Sequence, residues 1–179
     1  PLAIIEGAVN KLDAIKRGEQ VGSQRTTIQM VKRGTTRLLR LVNELMEFRK
    51  INTGNSRLSL QQCDIIQIVR NVYDDFRTLA EQKRLNLSFT PFDKQFTAAF
   101  DKNKVETIVY NLLSNAIKYT PNNGDVTISI KHNEDNITIS VSDSGPGISE
   151  QQKQSLFEPF MHGYVSNGGM GIGLYTAYN

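Results

Sequence analysis

The sequence predicts an α+β fold, a helical hairpin followed by a domain whose helices cover one face of a sheet. Two observations carry that prediction. Before about residue 55 apolar residues recur only at helical intervals; beyond it, helical runs are interleaved with short stretches of period two. Two of those stretches are adjacent, which implies antiparallel pairing rather than a purely parallel α/β sheet.

The elements follow in order. Leu2, Ile5, Val9 and Leu12 step by three and four residues, and after a break at "KRGEQVGSQ" a longer series runs Val31, Thr35, Leu38, Val42, Leu45, Phe48. Both series have coiled-coil-like seams, and Gly18 and Gly22 mark the connector between them. Two helices bury little by themselves, so the expected arrangement is a four-helix bundle formed by a homodimer through residues 1–53. The alternative is a monomeric hairpin folded onto the next domain. "NTGNS" is a turn-forming linker, and the second domain is expected over 54–179. There "RLSLQ" is a short strand, and "DIIQIVRNVYDDFRTLAEQKR" a helix with Asp64 as N-cap. "LNLSFTP" and "FTAAFD" are strands with a turn between them. "KNKVETIVYNLLSNAIKYT" is a second helix, stopped by Pro121 and the "NNG" turn. "DVTISIKH" and "NITISVSD", flanking "NED", form a hairpin.

Composition narrows the function. A formal charge of +3 with scattered basic residues gives nucleic-acid binding little support. The one cysteine, Cys63, precludes an internal disulfide framework and suits a reducing compartment. No apolar run approaches the roughly 20 residues of a membrane span. The chain opens on Pro1 rather than Met, which is expected of a piece of something longer.

Three stretches can carry chemistry. In "NLLSNAIKYTP", Asn111 and Asn115 stand one turn apart, so both carboxamides leave one helix face, with Leu112, Leu113, Ala116 and Ile117 on the buried side. Asn favours caps and turns over helix interiors, so the pair needs a reason beyond surface amides. As neutral oxygen donors they suit Mg²⁺ held among phosphates. Lys118 can pair with phosphate, and Tyr119 offers a flat face to a base or ribose. In "DSGPGI", Asp143 ends a strand and can accept from an exocyclic amine such as that of adenine, while Gly145 and Gly147 let a ligand approach the backbone. Alone, this pattern is more often a plain turn. In "GGMGIGL", Gly169, Gly171 and Gly173 precede a short helix, an arrangement whose free N–H groups favour phosphate. It lacks the Gly-Lys-Ser/Thr of a P-loop, and no strand directly precedes it as in a dinucleotide fingerprint.

Together and in this order, the stretches resemble the ATP-binding domain of bacterial sensor histidine kinases, within the gyrase, heat-shock-chaperone and MutL ATP-binding superfamily. "NLLSNAIKYT" resembles the N box, "DSGPGI" the G1 box, "FEPF" the F box and "GGMGIGL" the G2 box. The hairpin resembles the dimerisation and phosphoacceptor helices, so the resemblance spans nearly the whole chain. It implies a two-layer α/β sandwich with a mixed sheet and the cofactors ATP and Mg²⁺. It implies Asn115 as principal Mg²⁺ ligand with Asn111 beside it, and Asn111, Asn115 and Lys118 as the catalytic group. Tyr119, Asp143, Gly145, Gly147, Ile148, Gly169, Gly171, Gly173 and Leu174 would contact the nucleotide, and residues 148–168 would form a mobile lid. It further implies transfer of the γ-phosphoryl group to a histidine and relay to a response-regulator receiver domain. The parent protein would be membrane-anchored, this part of it being the cytoplasmic portion of an inner-membrane sensor.

Three departures matter. The family's phosphoacceptor stretch resembles H-E-x-R-T-P-L, and this chain opens at its "PL", so the acceptor is expected upstream of Pro1 and the chain as quoted is expected not to phosphorylate itself. The family's G2 helix continues into further strands, which are expected to be missing after Asn179. His162 follows "FEPFM" where many relatives carry Arg or Lys, and a neutral imidazole would weaken a lid contact to phosphate. His132 is expected to be a solvated turn residue, and "FEPF" a core-anchoring turn. Two other functions compete: an ATP hydrolase of the same superfamily, which generally carries Glu where this chain has Asn111, and a nucleotide-binding dimeric scaffold without kinase activity.

Overall fold

A computed structural model describes residues 57–161 and 171–178 continuously. Between 31 and 53 it describes residues 31, 34, 35, 38, 41–43, 45, 46 and 48–53. The chain divides into two units, Pro1–Gly54 and Asn55–Asn179. In the first, the described residues from 31 to 52 are helical, and Val42, Leu45 and Met46 are exposed. The first arm of the expected hairpin lies outside the described residues.

The second unit is α+β with a mixed sheet. Its order is β1 (Gln61–Asp64), α1 (Ile65–Gln82), β2 (Asn86–Thr90), β3 (Thr97–Phe100), α2 (Lys102–Tyr119), β4 (Asp125–His132), β5 (Ile137–Asp143), α3 (Glu150–Gln154) and α4 (Gly173–Tyr178). Strand β1 pairs antiparallel with β3. Strand β4 is central in the other sheet, parallel to β2 and antiparallel to β5. The two strands expected on either side of a turn, β2 and β3, thus belong to different sheets. The first strand begins at Gln61, after rather than within "RLSL".

Alternation sets the core. Val126, Ile128 and Ile130 of β4 face inward and are buried against Val69, Val72 and Phe76 of α1 and Val109, Leu113 and Ile117 of α2. Leu112, expected on that side, is only half-buried. Helix α1 starts as expected: Asp64 Oδ1 accepts from the N–H groups of Ile66 (3.0 Å) and Gln67 (3.4 Å). It ends without a glycine. Arg84 takes a left-handed φ of 54°, and the bonds Arg84 N–H to Glu81 O and Leu85 N–H to Ala80 O close a Schellman-type turn.

Two expectations on the second unit need correcting. Phe157 and Phe160 do not anchor the core: they are 43% and 55% exposed, and Phe157 stacks on the Tyr178 ring at 4.6 Å. His132 is the last residue of β4, opposite Ile137, with its ring 5.2 Å from that of Phe92 and 4.7 Å from that of Phe96. It is exposed, but an aromatic pair rather than the turn positions it.

Candidate functional site

Helix α2 organises the site, and both its ends are tied down by side chains. At the start, Asp101 is buried; its Oδ1 accepts from Lys104 N–H (3.1 Å) and its Oδ2 from Ser59 N–H (2.8 Å). The bond from Ser59 and then that from Lys104 hold its carboxyl below the ordinary value, against the opposing effect of burial. At the other end, Thr120 N–H and its hydroxyl both donate to Ala116 O, at 2.9 and 2.6 Å.

The turn after α2 brings two of the sequence stretches together. Gly124 N–H donates to Pro121 O at 3.1 Å with Asn123 at φ 66°, a left-handed position that Asn tolerates. Asp125 N–H then donates to Ser144 Oγ (2.8 Å), and Ser144 N–H to Asp125 O (3.0 Å). The strand end bearing Asp143 is thereby held beside the end of α2. Gly145 sits in a tight part of this junction. A Cβ there would stand 2.6 Å from Asp143 Oδ1 and 3.3 Å from Tyr119 O. Its N–H donates to Asp143 Oδ1 at 2.8 Å, which fixes the carboxylate. Gly147, at φ 75°, has open space where a Cβ would be.

Eight residues earlier, α2 meets the last glycine stretch. Asn111 Nδ2 donates to Gly173 O at 3.0 Å, and a Cβ on Gly173 would stand 3.0 Å from Asn111 Oδ1. Gly171, at φ 71°, lies so close to the Phe160–Met161 backbone that a Cβ would come within 2.6 Å of Met161 O. One helix therefore contacts the "DSGPGI" turn at Tyr119 and the start of α4 at Asn111. At 1.5 Å per residue these points are roughly 12 Å apart along the axis, on the scale of an extended nucleotide.

The remaining expected residues are placed but less tied. Asn115 is half-buried, one turn from Asn111. Lys118 Nζ lies 4.8 Å from the centre of the Tyr119 ring. Ile148 is exposed at the start of the expected lid, where Ser149 and Gln152 form a capping box on α3. Leu174 is half-buried in α4. Gly169 and His162 lie outside the described residues.

The donor set suits Mg²⁺ in a particular way. Asn115 and Asn111 each offer a neutral carboxamide oxygen, the amide nitrogen of Asn111 being the atom engaged with Gly173 O. Among the described residues no three His, Cys, Asp or Glu gather as a metal cage. A Mg²⁺ ion here would need phosphate and water oxygens to complete its shell, as is usual for this ion.

Sequence reasoning missed Lys83. Its ammonium donates to the carbonyls of Ile117 (2.6 Å), Thr120 (3.0 Å) and Lys118 (3.3 Å), at the C-terminal end of α2. No local motif marks it, since its partners lie 34 to 37 residues away.

Comparison with known proteins bears on this geometry. Residues 100–179 match the family described as histidine kinase-, DNA gyrase B- and HSP90-like ATPase. The chain is 29% identical over 186 residues to Histidine kinase P4 of Formosa agariphila, a match covering 100% of this chain and 13% of that protein. Its fold is similar to full-length ShkA in complex with AMPPNP, with a TM-score of 0.70 and 25% identity over 96% of this chain and 36% of that one. It is also similar in fold to histidine kinase ThkA in complex with response regulator protein TrrA (TM-score 0.59, 23% identity, 90% of this chain and 47% of that one). The chain thus spans only a small part of the curated relative.

Proposed function

Residues 100–179 belong to the histidine kinase-, DNA gyrase B- and HSP90-like ATPase family, and on that premise we propose that the chain is the core of a sensor histidine kinase. The chain would bind Mg²⁺-ATP along α2 and direct the γ-phosphoryl group to a histidine upstream of Pro1, for relay to a response-regulator receiver domain. One observation carries the proposal: α2 touches the Asp143–Gly145 turn at Tyr119 and the start of α4 at Asn111, roughly 12 Å apart. Those contacts support an adenine end at Asp143 and Tyr119 and a phosphate end at Asn111 and Gly173; Asn115, the long side chain of Lys118 and Gly171 are proposed to complete the phosphate end. Leu174, Gly147, Ile148 and Gly169 belong to the same proposed site. Bound Mg²⁺ would supply charge neutralisation; the chain's part is to orient, since phosphoryl transfer depends chiefly on position and electrostatics.

The Asn111–Gly173 bond also speaks to the hydrolase alternative. An ionised Glu at position 111 could not donate to the Gly173 carbonyl, and Asn cannot act as a general base for water. Residues 1–53 are proposed as the dimerisation and phosphoacceptor region, with 54–179 as the nucleotide-binding domain. Among the described residues no helix is long and apolar enough to cross a membrane, and anchoring of the parent protein is part of the proposal.

Calorimetry with Mg²⁺-ATP tests the site. Asp143→Asn replaces an acceptor-only group by an amide that can donate where adenine's amine also donates. Affinity should fall roughly ten- to hundredfold, about 1.5–3 kcal/mol. Unchanged binding by a folded Asp143→Asn chain would refute the assignment of the adenine end.

A further inference from the structure

Helix α2 stops under an unusual constraint. Were it to continue, the N–H of residue 121 would bond the carbonyl of Ile117; Pro121 has no N–H to give. Lys83 fills that place with the 2.6 Å bond to Ile117 O, and it takes the Lys118 and Thr120 carbonyls as well. An ammonium has three N–H donors, and three carbonyls receive them. The charge also suits the negative end of the helix dipole. Lys83 is delivered there by the end of α1: it is the cap residue, directly before left-handed Arg84, and its stem is half-buried.

The clamped carbonyls bracket Lys118 and Tyr119, which the nucleotide proposal places against phosphate and nucleoside. We propose that Lys83 is a positioning residue for nucleotide binding, holding the last turn of α2 so that the Lys118 side chain is presented to phosphate; this rests on the function proposed above. The contacts of the Lys83 ammonium are to backbone carbonyls. Its removal would let the last turn fray, and Lys118 would then sample positions unsuited to a phosphate.

The test is a double-mutant cycle on the full chain, reading Mg²⁺-AMPPNP affinity by calorimetry and folding by circular dichroism. Lys83→Met should lower affinity about tenfold when Lys118 is present. Its effect should be clearly smaller in a Lys118→Met background, where only Tyr119 is left for it to position. Lys83→Arg, which keeps charged donors, should recover part of the affinity. A general structural role would instead lower affinity equally in both backgrounds, and that result overturns the proposal, as does wild-type affinity in folded Lys83→Met. If Lys83→Met does not fold, Lys83→Gln, which retains an amide donor, goes through the same cycle. Failure of the unsubstituted chain to bind Mg²⁺-AMPPNP would overturn the nucleotide site itself, an outcome distinct from failure of the cycle alone.

Discussion

Gly145 and Gly147 stand two residues apart and are required for different physical reasons. At 145 the constraint is space: a methyl group would meet Asp143 Oδ1 at 2.6 Å. The carboxylate end can rotate away, giving up its bond from the Gly145 N–H, so Gly145→Ala should fold with a smaller loss of stability than Gly147→Ala while losing the orientation of Asp143. Its nucleotide affinity should fall about tenfold, near 1.4 kcal/mol. At 147 the constraint is conformation, since φ is 75° with open space beyond. Gly147→Ala should therefore lower stability by about 1–2 kcal/mol, the usual left-handed penalty, and Gly147→Asn by less. Parallel urea titrations and calorimetry distinguish the two effects. Equal losses of stability at both positions would contradict this division. Asp143, Gly145 and Gly147 were legible as a turn near a strand end because the glycines and the Asp are adjacent in sequence. Lys83 was not, because nothing within its own helix indicates that three carbonyls from another helix need donors.

At the scale of the element, α2 is held by Asp101 at one end and Lys83 at the other. The Asp101 carboxyl titrates below its ordinary value of 3.8, chiefly through the Ser59 N–H and then that of Lys104. Its contribution is thus fully present above that ordinary value and is lost as pH falls through the lower folded value. Asp101→Ala should cost about 0.5–2 kcal/mol at pH 7, as for other N-caps. The difference from the unsubstituted chain should shrink below about pH 4, where the carboxyl of the unfolded chain begins to protonate while the native one still resists. Urea unfolding at pH 7 and pH 3 measures it; a difference that widens in acid would contradict the sign. The elements themselves were largely legible: Asp64 before an apolar run, Pro121 after one, and strict alternation in β4 and β5. Pairing was not. Strands β2 and β3 follow one another, yet β2 joins β4 in parallel and β3 joins β1, pairings between distant segments that no local signal in the sequence marks. Phe157 and Phe160 misled for the opposite reason: bulk suggested a core, but one ring covers another at the surface.

At the scale of the whole molecule, the two units make separate demands on solvent. The second has its own apolar core, built on α1, α2 and β4. In the first, Val42, Leu45 and Met46 are 47%, 52% and 53% exposed on helical backbone. Positions 42, 45 and 46 share one helix face, and Leu38 stands one turn before Val42 on the same stripe. Large apolar side chains grouped in this way mark an interaction surface more often than scattered ones do. The proposed occupant is a second copy of the chain, since the heptad-like spacing of Leu38, Val42 and Leu45 is that of a helix-bundle seam. Burying a Leu side chain is worth roughly 1.5–3 kcal/mol, and a bundle would repeat that gain on each helix. Leu45→Asp places a charge in the seam, where it would have to lose its hydration without a partner. Multi-angle light scattering should give a dimer for the unsubstituted chain and a monomer for Leu45→Asp. Calorimetry should give the same Mg²⁺-ATP affinity for both, because the nucleotide site is proposed to lie wholly within the second unit. A monomer from the unsubstituted chain at high concentration would exclude the bundle. A Leu45→Asp monomer that has also lost nucleotide affinity would show that the nucleotide site depends on the first unit, contrary to the separation argued here.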